Sequence, residues 1–223
     1  NVDFKKEKGN FAAIIFDDGY KDNIQYAAPI LDRHKCKASF YVVTDCIDKN
    51  IPPWTQVLEH QFYFTNKESI NMVFDFLPEE YRVKKLSSKS ERVQYVKKIK
   101  PFLKIISHEQ RTLILNRVAE AYSDIEPPAV MMNWNDLREL KNGGHNIGSH
   151  TKTHSMLSTM TDEAEIMDEL LISGKRIEQQ LGHLPKAISY PIGSYNETTI
   201  RLSREAGYDI GLAVKQTVYD PSK

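Results

Sequence analysis

The sequence predicts an α/β chain in which strands and helices alternate as parallel βα units, in an open sheet or a barrel. Three observations lead there. Short apolar, β-prone runs recur from Phe11 to Val214, most of them followed by a segment of helical periodicity. Glycines close those helices, at Gly143-Gly144, Gly182 and Gly207. Two strand ends carry polar motifs, Asp17-Asp18 and the pair His150 and His154, and in parallel α/β folds such ends converge on one face where sites are built.

Phe11–Phe16 reads as a short buried strand, and Asp22–Lys35 as a helix with Ile24, Ala27, Ala28 and Leu31 at helical spacing. Ala38–Val43 is the second strand, Phe-Tyr-Val-Val at its centre. Met132–Asn142 is a short helix, and His145–Gly148 a brief strand leading to His150. Thr161–Leu181 is the clearest helix. Thr161 is its expected N-cap, and Asp162, Glu163 and Glu165 load the first turn, where the helix dipole favours negative charge. Ile166, Leu170, Ile177 and Leu181 form its apolar stripe. Ala187–Tyr190 is a third strong strand, Asn196–Ala206 a helix and Asp209–Val214 a last strand.

One segment breaks the alternation. From Trp54 to Glu126 the residues give helical stretches and no strand signal. Between Arg82 and Lys104 lie nine Lys or Arg and one acid, Glu91. Two readings stay open: a solvated helical insertion whose basic face balances acids elsewhere, or a rim over the site that meets an anionic glycan or lipid phosphate.

Composition bounds the rest. Lys plus Arg and Asp plus Glu number 30 each, so no overall field points to nucleic acid or a membrane surface. No window approaches the roughly 18 consecutive apolar residues of a membrane span. No signal peptide is visible in the chain, which begins at Asn1, and cytoplasmic and cell-envelope locations both stay open. A chain of 223 residues buries a substantial core without disulfides or structural metals. Cys36 and Cys46 flank the Ala38–Val43 run; along an extended strand they lie roughly 30 Å apart, against the ~7 Å limit of a disulfide. Two free thiols are expected.

The chemistry lies in IIFDDGY at Ile14–Tyr20 and GSHTKTH at Gly148–His154. Adjacent carboxylates after a buried strand either cap a turn, for which Asp-Asp-Gly is suitable, or face something positive. His150 and His154 are four residues apart, which on a helical turn sets both imidazoles on one face. One carboxylate and two imidazoles suit a catalytic divalent metal with open positions. Ser149, Thr151 and Thr153 are candidates for orienting that loop. His34, His60, His108, His145 and His183 have no partner motif and read as surface or packing residues.

These two motifs, followed by SYPIGSYN and an Ala206-Gly207-Tyr208 ending, resemble the polysaccharide deacetylase family, the catalytic domain shared with chitooligosaccharide deacetylases. The resemblance runs from about Phe11 to Val214, outside the helical insertion. It implies a distorted (β/α) barrel with fewer than eight strands, residues 1–223 forming one catalytic domain with an insertion at about 54–126. It implies metal ligation by Asp18, His150 and His154, zinc being the default on ligand type. Asp17 maps onto the general base, and the backbone N–H of Ile192 onto an oxyanion donor. Tyr20, Pro191 and Tyr195 are candidate sugar contacts. The implied reaction removes the N-acetyl group of an amino sugar in a glycan or lipid-linked precursor, with neither nucleic acid nor a membrane span involved. Acetyl esters, non-sugar amides, or non-catalytic glycan binding are the alternatives. Which sugar is processed and the oligomeric state are not legible. Two departures stand out. Ser189 occupies the place where many members carry an Arg that orients the catalytic Asp, and no histidine follows His183 to supply the family's late general acid.

Overall fold

The computed structural model describes residues 12–214. From the N-terminal side, β1 (Ile15–Phe16) leads through a π-helical turn at Asn23–Ala27 into α1 (Ala28–Arg33). Then come β2 (Ser39–Val42), α2 (Thr44–Lys49) and α3 (Trp54–Phe64). β3 (Ser69–Asn71), α4 (Glu79–Arg82), β4 (Val83–Lys85), α5 (Lys89–Leu103) and α6 (His108–Ala121) make up the rest of the insertion. The chain continues through α7 (Trp134–Asn142), β5 (Asn146–Ser149), α8 (Glu163–Leu181), β6 (Ala187–Ser189), α9 (Glu197–Glu205) and β7 (Ile210–Leu212).

The main sheet has the order β1-β2-β5-β6-β7, every neighbouring pair parallel. Its register sets Phe16 beside Phe40, Tyr41 beside Gly148 and Ser149 beside Ile188. The loops that leave the carboxyl ends of β1, β5 and β6 therefore meet on one side. The sheet is curled, and one contact shows it. Two strands separate β1 from β6, so at about 4.8 Å per strand a flat sheet would hold them about 14 Å apart. Yet Ser189 Oγ lies 3.3 Å from Asp17 Oδ2, which two short side chains reach only if the sheet rolls toward closure. The α/β barrel expectation holds: this is a curled parallel half-barrel.

Among the described residues three apolar clusters form the interior. One packs Phe40, Val42 and Ile147 of the sheet against Leu31, Ile47, Trp134, Leu137 and Ile177. A second joins Leu157, Ile166 and Leu170 to Ile188, Leu202 and Tyr208. The third lies wholly in the insertion, with Leu58, Phe62, Val96, Ile99, Leu103, Ile114 and Tyr122 buried together. A glycine lets β5 lie close against its neighbours. A Cβ on Gly148 would sit 2.4 Å from the Tyr41 ring and 3.1 Å from the Ala187 carbonyl.

Several sequence expectations change. Among the described residues β1 is an edge strand rather than a buried one: Ile14 and Ile15 are exposed, and β2 is the one strand that pairs with it; Phe11 lies outside the described residues. Asp162, not Thr161, caps α8, accepting from the Ala164 amide at 2.8 Å. The insertion is not wholly helical, since β3 and β4 pair antiparallel. Each strand has three residues and β3 buries only Ile70, too little alternation to be read from sequence. Part of the basic run is internal scaffolding. Arg92 is buried and donates to the Phe62 and Leu86 carbonyls, and Arg82 donates to those of Leu77 and Asp75. Cys46 sits on α2 rather than an extended segment, and both thiols are free, Cys36 exposed and Cys46 buried.

Candidate metal centre

β1 delivers Asp17 and Asp18 to the carboxyl side of the sheet, and the chain then turns sharply. Asp18 has φ 71° and Gly19 φ 91°. Glycine is needed there twice over, since a Cβ would also lie 2.9 Å from Ile47 Cδ1. The turn is pinned where the Met132 amide donates to the Gly19 carbonyl at 2.9 Å. On the other side, β5 ends at Ser149 and the His150 amide donates to the Val42 carbonyl at 2.9 Å.

Beyond His150 the chain is not helical, contrary to the helical-turn expectation. Thr151 and His154 both have left-handed backbones, φ 67° and 64°. The Thr151 amide donates to Ser149 Oγ and the His154 amide to Thr151 Oγ1, each at 3.1 Å. The first amides of α2, from Thr44 and Asp45, donate to the Thr151 and Lys152 carbonyls. A loop folded on its own hydroxyls thus does what a helical turn was expected to do.

The result is a tight triad. Asp18 Oδ1 lies 3.4 Å from His150 Nε2 and 3.3 Å from His154 Nε2, and one ligand atom from each residue falls within 4.8 Å of the others. Both histidines are buried. His150 Nδ1 lies 2.7 Å from the Ser189 carbonyl. A carbonyl only accepts, so Nδ1 carries the hydrogen, and in the neutral ring Nε2 is the nitrogen free to ligate a cation. Asp18 Oδ1 is buried without a hydrogen-bond partner. An orphaned carboxylate oxygen facing ring nitrogens is a donor set that fits a divalent cation.

The three groups also shift one another's titration. Burial pushes the Asp18 carboxyl up, but the two imidazoles outweigh it and hold the group well below the usual carboxylate range. Burial also acts on the imidazoles. In His150 the adjacent Asp18 and Asp17 reverse it and raise the pKa, whereas in His154 burial prevails and lowers it. At Tyr20, half-buried beside this centre, burial and the Asp18 charge push the phenol up, so it remains a donor.

Asp17 stands beside the triad, its Oδ2 accepting from Ser189 Oγ at 3.3 Å and its buried Oδ1 without a partner. Three residues past Ser189, Ile192 has φ 59°. Positive φ in a β-branched residue is strained, and such strain costs about 1–3 kcal/mol. Of the six described non-glycine residues with positive φ, Asp18, Thr151, His154 and Ile192 belong to this region; Lys35 and Asn50 end helices. Pro191 is buried, and Tyr195 is half exposed and stacks on Tyr190 with centroids 5.7 Å apart. Sequence reasoning missed two participants. Ser189 was read only as a missing Arg, and Glu169 of α8, which accepts from the Lys152 and Thr153 amides, was not singled out. The available signal was a carboxylate on the buried face of α8, beside Ile166 and Leu170.

A family model described as polysaccharide deacetylase matches residues 4–211. Among curated proteins, "Putative polysaccharide deacetylase YxkH" of Bacillus subtilis (strain 168) is 30% identical over 79 residues, 35% of this chain and 28% of the relative. Among solved structures, the Streptococcus pyogenes deacetylase PplD in complex with acetate superposes with a TM-score of 0.54 at 17% identity, covering 91% of this chain and 55% of that one. A de-N-acetylase from Aggregatibacter actinomycetemcomitans gives 0.54 at 17% identity, with 92% and 63% covered. The BpsB deacetylase domain from Bordetella bronchiseptica gives 0.52 at 18%, with 92% and 64% covered. The chain spans less than two thirds of the length of each.

Proposed function

Because this chain belongs to the polysaccharide deacetylase family, we propose that it hydrolyses the N-acetyl group of an amino sugar in a glycan or lipid-linked precursor, with zinc held by Asp18, His150 and His154. The observation that carries the reading is the separation of those donors. Ligands about 2.0–2.1 Å from a tetrahedral zinc lie about 3.3–3.4 Å from one another, and the two carboxylate–imidazole distances are 3.3 and 3.4 Å. Zinc in such a site supplies Lewis acidity, polarising a carbonyl and lowering the pKa of water from about 15.7 toward 7.

The chain's own groups supply the rest. Asp17 accepts the proton of the attacking water through the oxygen left free while Ser189 holds the other. The Ile192 N–H donates to the oxygen that gains charge as the carbonyl carbon becomes tetrahedral. When the C–N bond breaks, the proton held by Asp17 goes to the leaving nitrogen. Acetate and a free amine are the products. Tyr20 and Tyr195 offer aromatic surface to the sugar, and residues 1–223 act as one catalytic domain.

The test is acetate release from a panel of N-acetylated oligosaccharides. Activity should vanish with a chelator and return with zinc. His154→Ala should lose bound metal and turnover together, while Asp17→Asn keeps the metal and loses turnover by about 10²–10⁴-fold. Near-normal rates in Asp17→Asn would remove Asp17 from the chemistry. Glycan binding indifferent to both variants and to chelator would make the protein a binding module.

A further inference from the structure

Glu169 is a carboxylate on the inward face of α8, only 7% exposed, among Ile166, Leu170 and Ser173. A buried carboxylate is costly unless its oxygens are fully engaged, and all its partners come from one place. Oε2 accepts from the backbone amides of Lys152 at 3.0 Å and Thr153 at 2.9 Å. Oε1 accepts from Thr153 Oγ1 at 2.5 Å and from Ser155 Oγ at 3.4 Å. Every donor is neutral and lies between the two histidines or immediately after them. One helical turn further along the same face, Ser173 Oγ meets Ser149 Oγ at 2.6 Å, and Ser149 Oγ accepts the Thr151 amide.

We propose that Glu169 is the positioning residue of the metal loop, fixing the distance between the His150 and His154 imidazoles by clamping the Lys152 and Thr153 amides midway between them. The inference rests on the metal reading above and extends it to a helix outside the ligand motif. The two left-handed residues that aim the imidazoles, Thr151 and His154, are not self-supporting, and strained conformations persist only where their surroundings over-determine them. Glu169 supplies that constraint from α8 as the first amides of α2 supply it from the other side. Its work is a matter of reach rather than charge. A glutamine can present its carbonyl oxygen to both amides and its NH₂ to hydroxyls that rotate to accept. An aspartate keeps the charge but is one methylene too short.

The experiment uses the full chain and zinc alone. Metal-free protein is titrated with zinc chloride against a chromogenic chelator, comparing the parent with Glu169→Ala, Glu169→Asp and Glu169→Gln. Ala and Asp should weaken zinc binding by about 10–100-fold, whereas Gln stays within about threefold of the parent. In the metal-free proteins, hydrogen exchange at the Lys152 and Thr153 amides should rise about tenfold or more in Ala and Asp and stay slow in Gln. An Asp variant that matches the parent in both readouts overturns the proposal. So does a Gln variant weakened as far as Ala, which would make charge the operative property. Should Ala fail to fold, the Asp–Gln contrast decides. A parent that takes up no zinc overturns the metal reading instead, and the exchange comparison still decides whether Glu169 holds the loop.

Discussion

Ser189 touches both halves of the site, its carbonyl on His150 Nδ1 at 2.7 Å and its hydroxyl on Asp17 Oδ2 at 3.3 Å. Only the second contact depends on the side chain. Ser189→Ala should therefore keep zinc affinity within about threefold while lowering kcat about tenfold, the scale of an orienting hydrogen bond worth about 1.4 kcal/mol. Parallel zinc titration and acetate-release kinetics separate the two. Cys46 makes a second residue-scale prediction. Burial, with Asp18 and Asp45 nearby, pushes its thiol up to about 12, so an alkylating reagent near neutral pH should modify Cys36 alone in the folded chain and both thiols after unfolding. His145 supplies a pH dependence. It is buried, and its Nδ1 accepts from the Ala38 amide at 3.1 Å, which requires a neutral ring. Burial first, then Lys37, lowers its pKa, with Asp32 opposing. The unfolded chain therefore binds a proton here more readily than the folded one, and this contribution is lost as pH falls below about 6.5. Unfolding free energy should decline from about pH 7 to 5, and His145→Asn should flatten part of that slope.

At the scale of elements, the constraint is how closely β2 and β5 carry their side chains. Gly148→Ala would drive a methyl group into the Tyr41 ring and the Ala187 carbonyl. Its expected cost is about 1–3 kcal/mol, read as a shift in denaturant midpoint with an unchanged m-value. Legibility also divides at this scale. The long helix Glu163–Leu181 was readable because its stripe repeats over many turns, and its cap was displaced by one residue because Thr161 and Asp162 are both capable of the role. β3 and β4 were not readable, being three residues each and held by pairing with one another. The candidate ligand set was readable because Asp18, His150 and His154 stand out by residue type at strand ends. Ser189 and Glu169 act through contacts that exist only after folding, across 172 and 16–17 residues of chain respectively.

For the whole molecule, the insertion has an apolar core of its own, tied to the loop after the histidines where Arg111 Nη2 donates to Thr159 Oγ1 at 3.2 Å. Arg111 is buried and its pKa is lowered by that burial to about 10, so it is still a cation at neutral pH. Lys84, Lys85 and Lys98 line a surface groove of the insertion with Tyr81 and Tyr95, and Glu80 and Glu91 offset part of their charge. If that basic face meets an anionic substrate, converting all three to Gln should reduce KM selectivity for anionic over neutral acetylated glycans by about tenfold and leave kcat on the neutral ones unchanged. A substrate range that does not move would leave the lysines as solvating charge. The rolled sheet has a consequence for the proposed catalysis. Asp17, just after β1, and Ser189, on β6 three strands away, meet across a partly closed cylinder, so a slight unrolling parts them while every helix stays intact. Under mild denaturant, catalysis should die well before the far-ultraviolet signal changes.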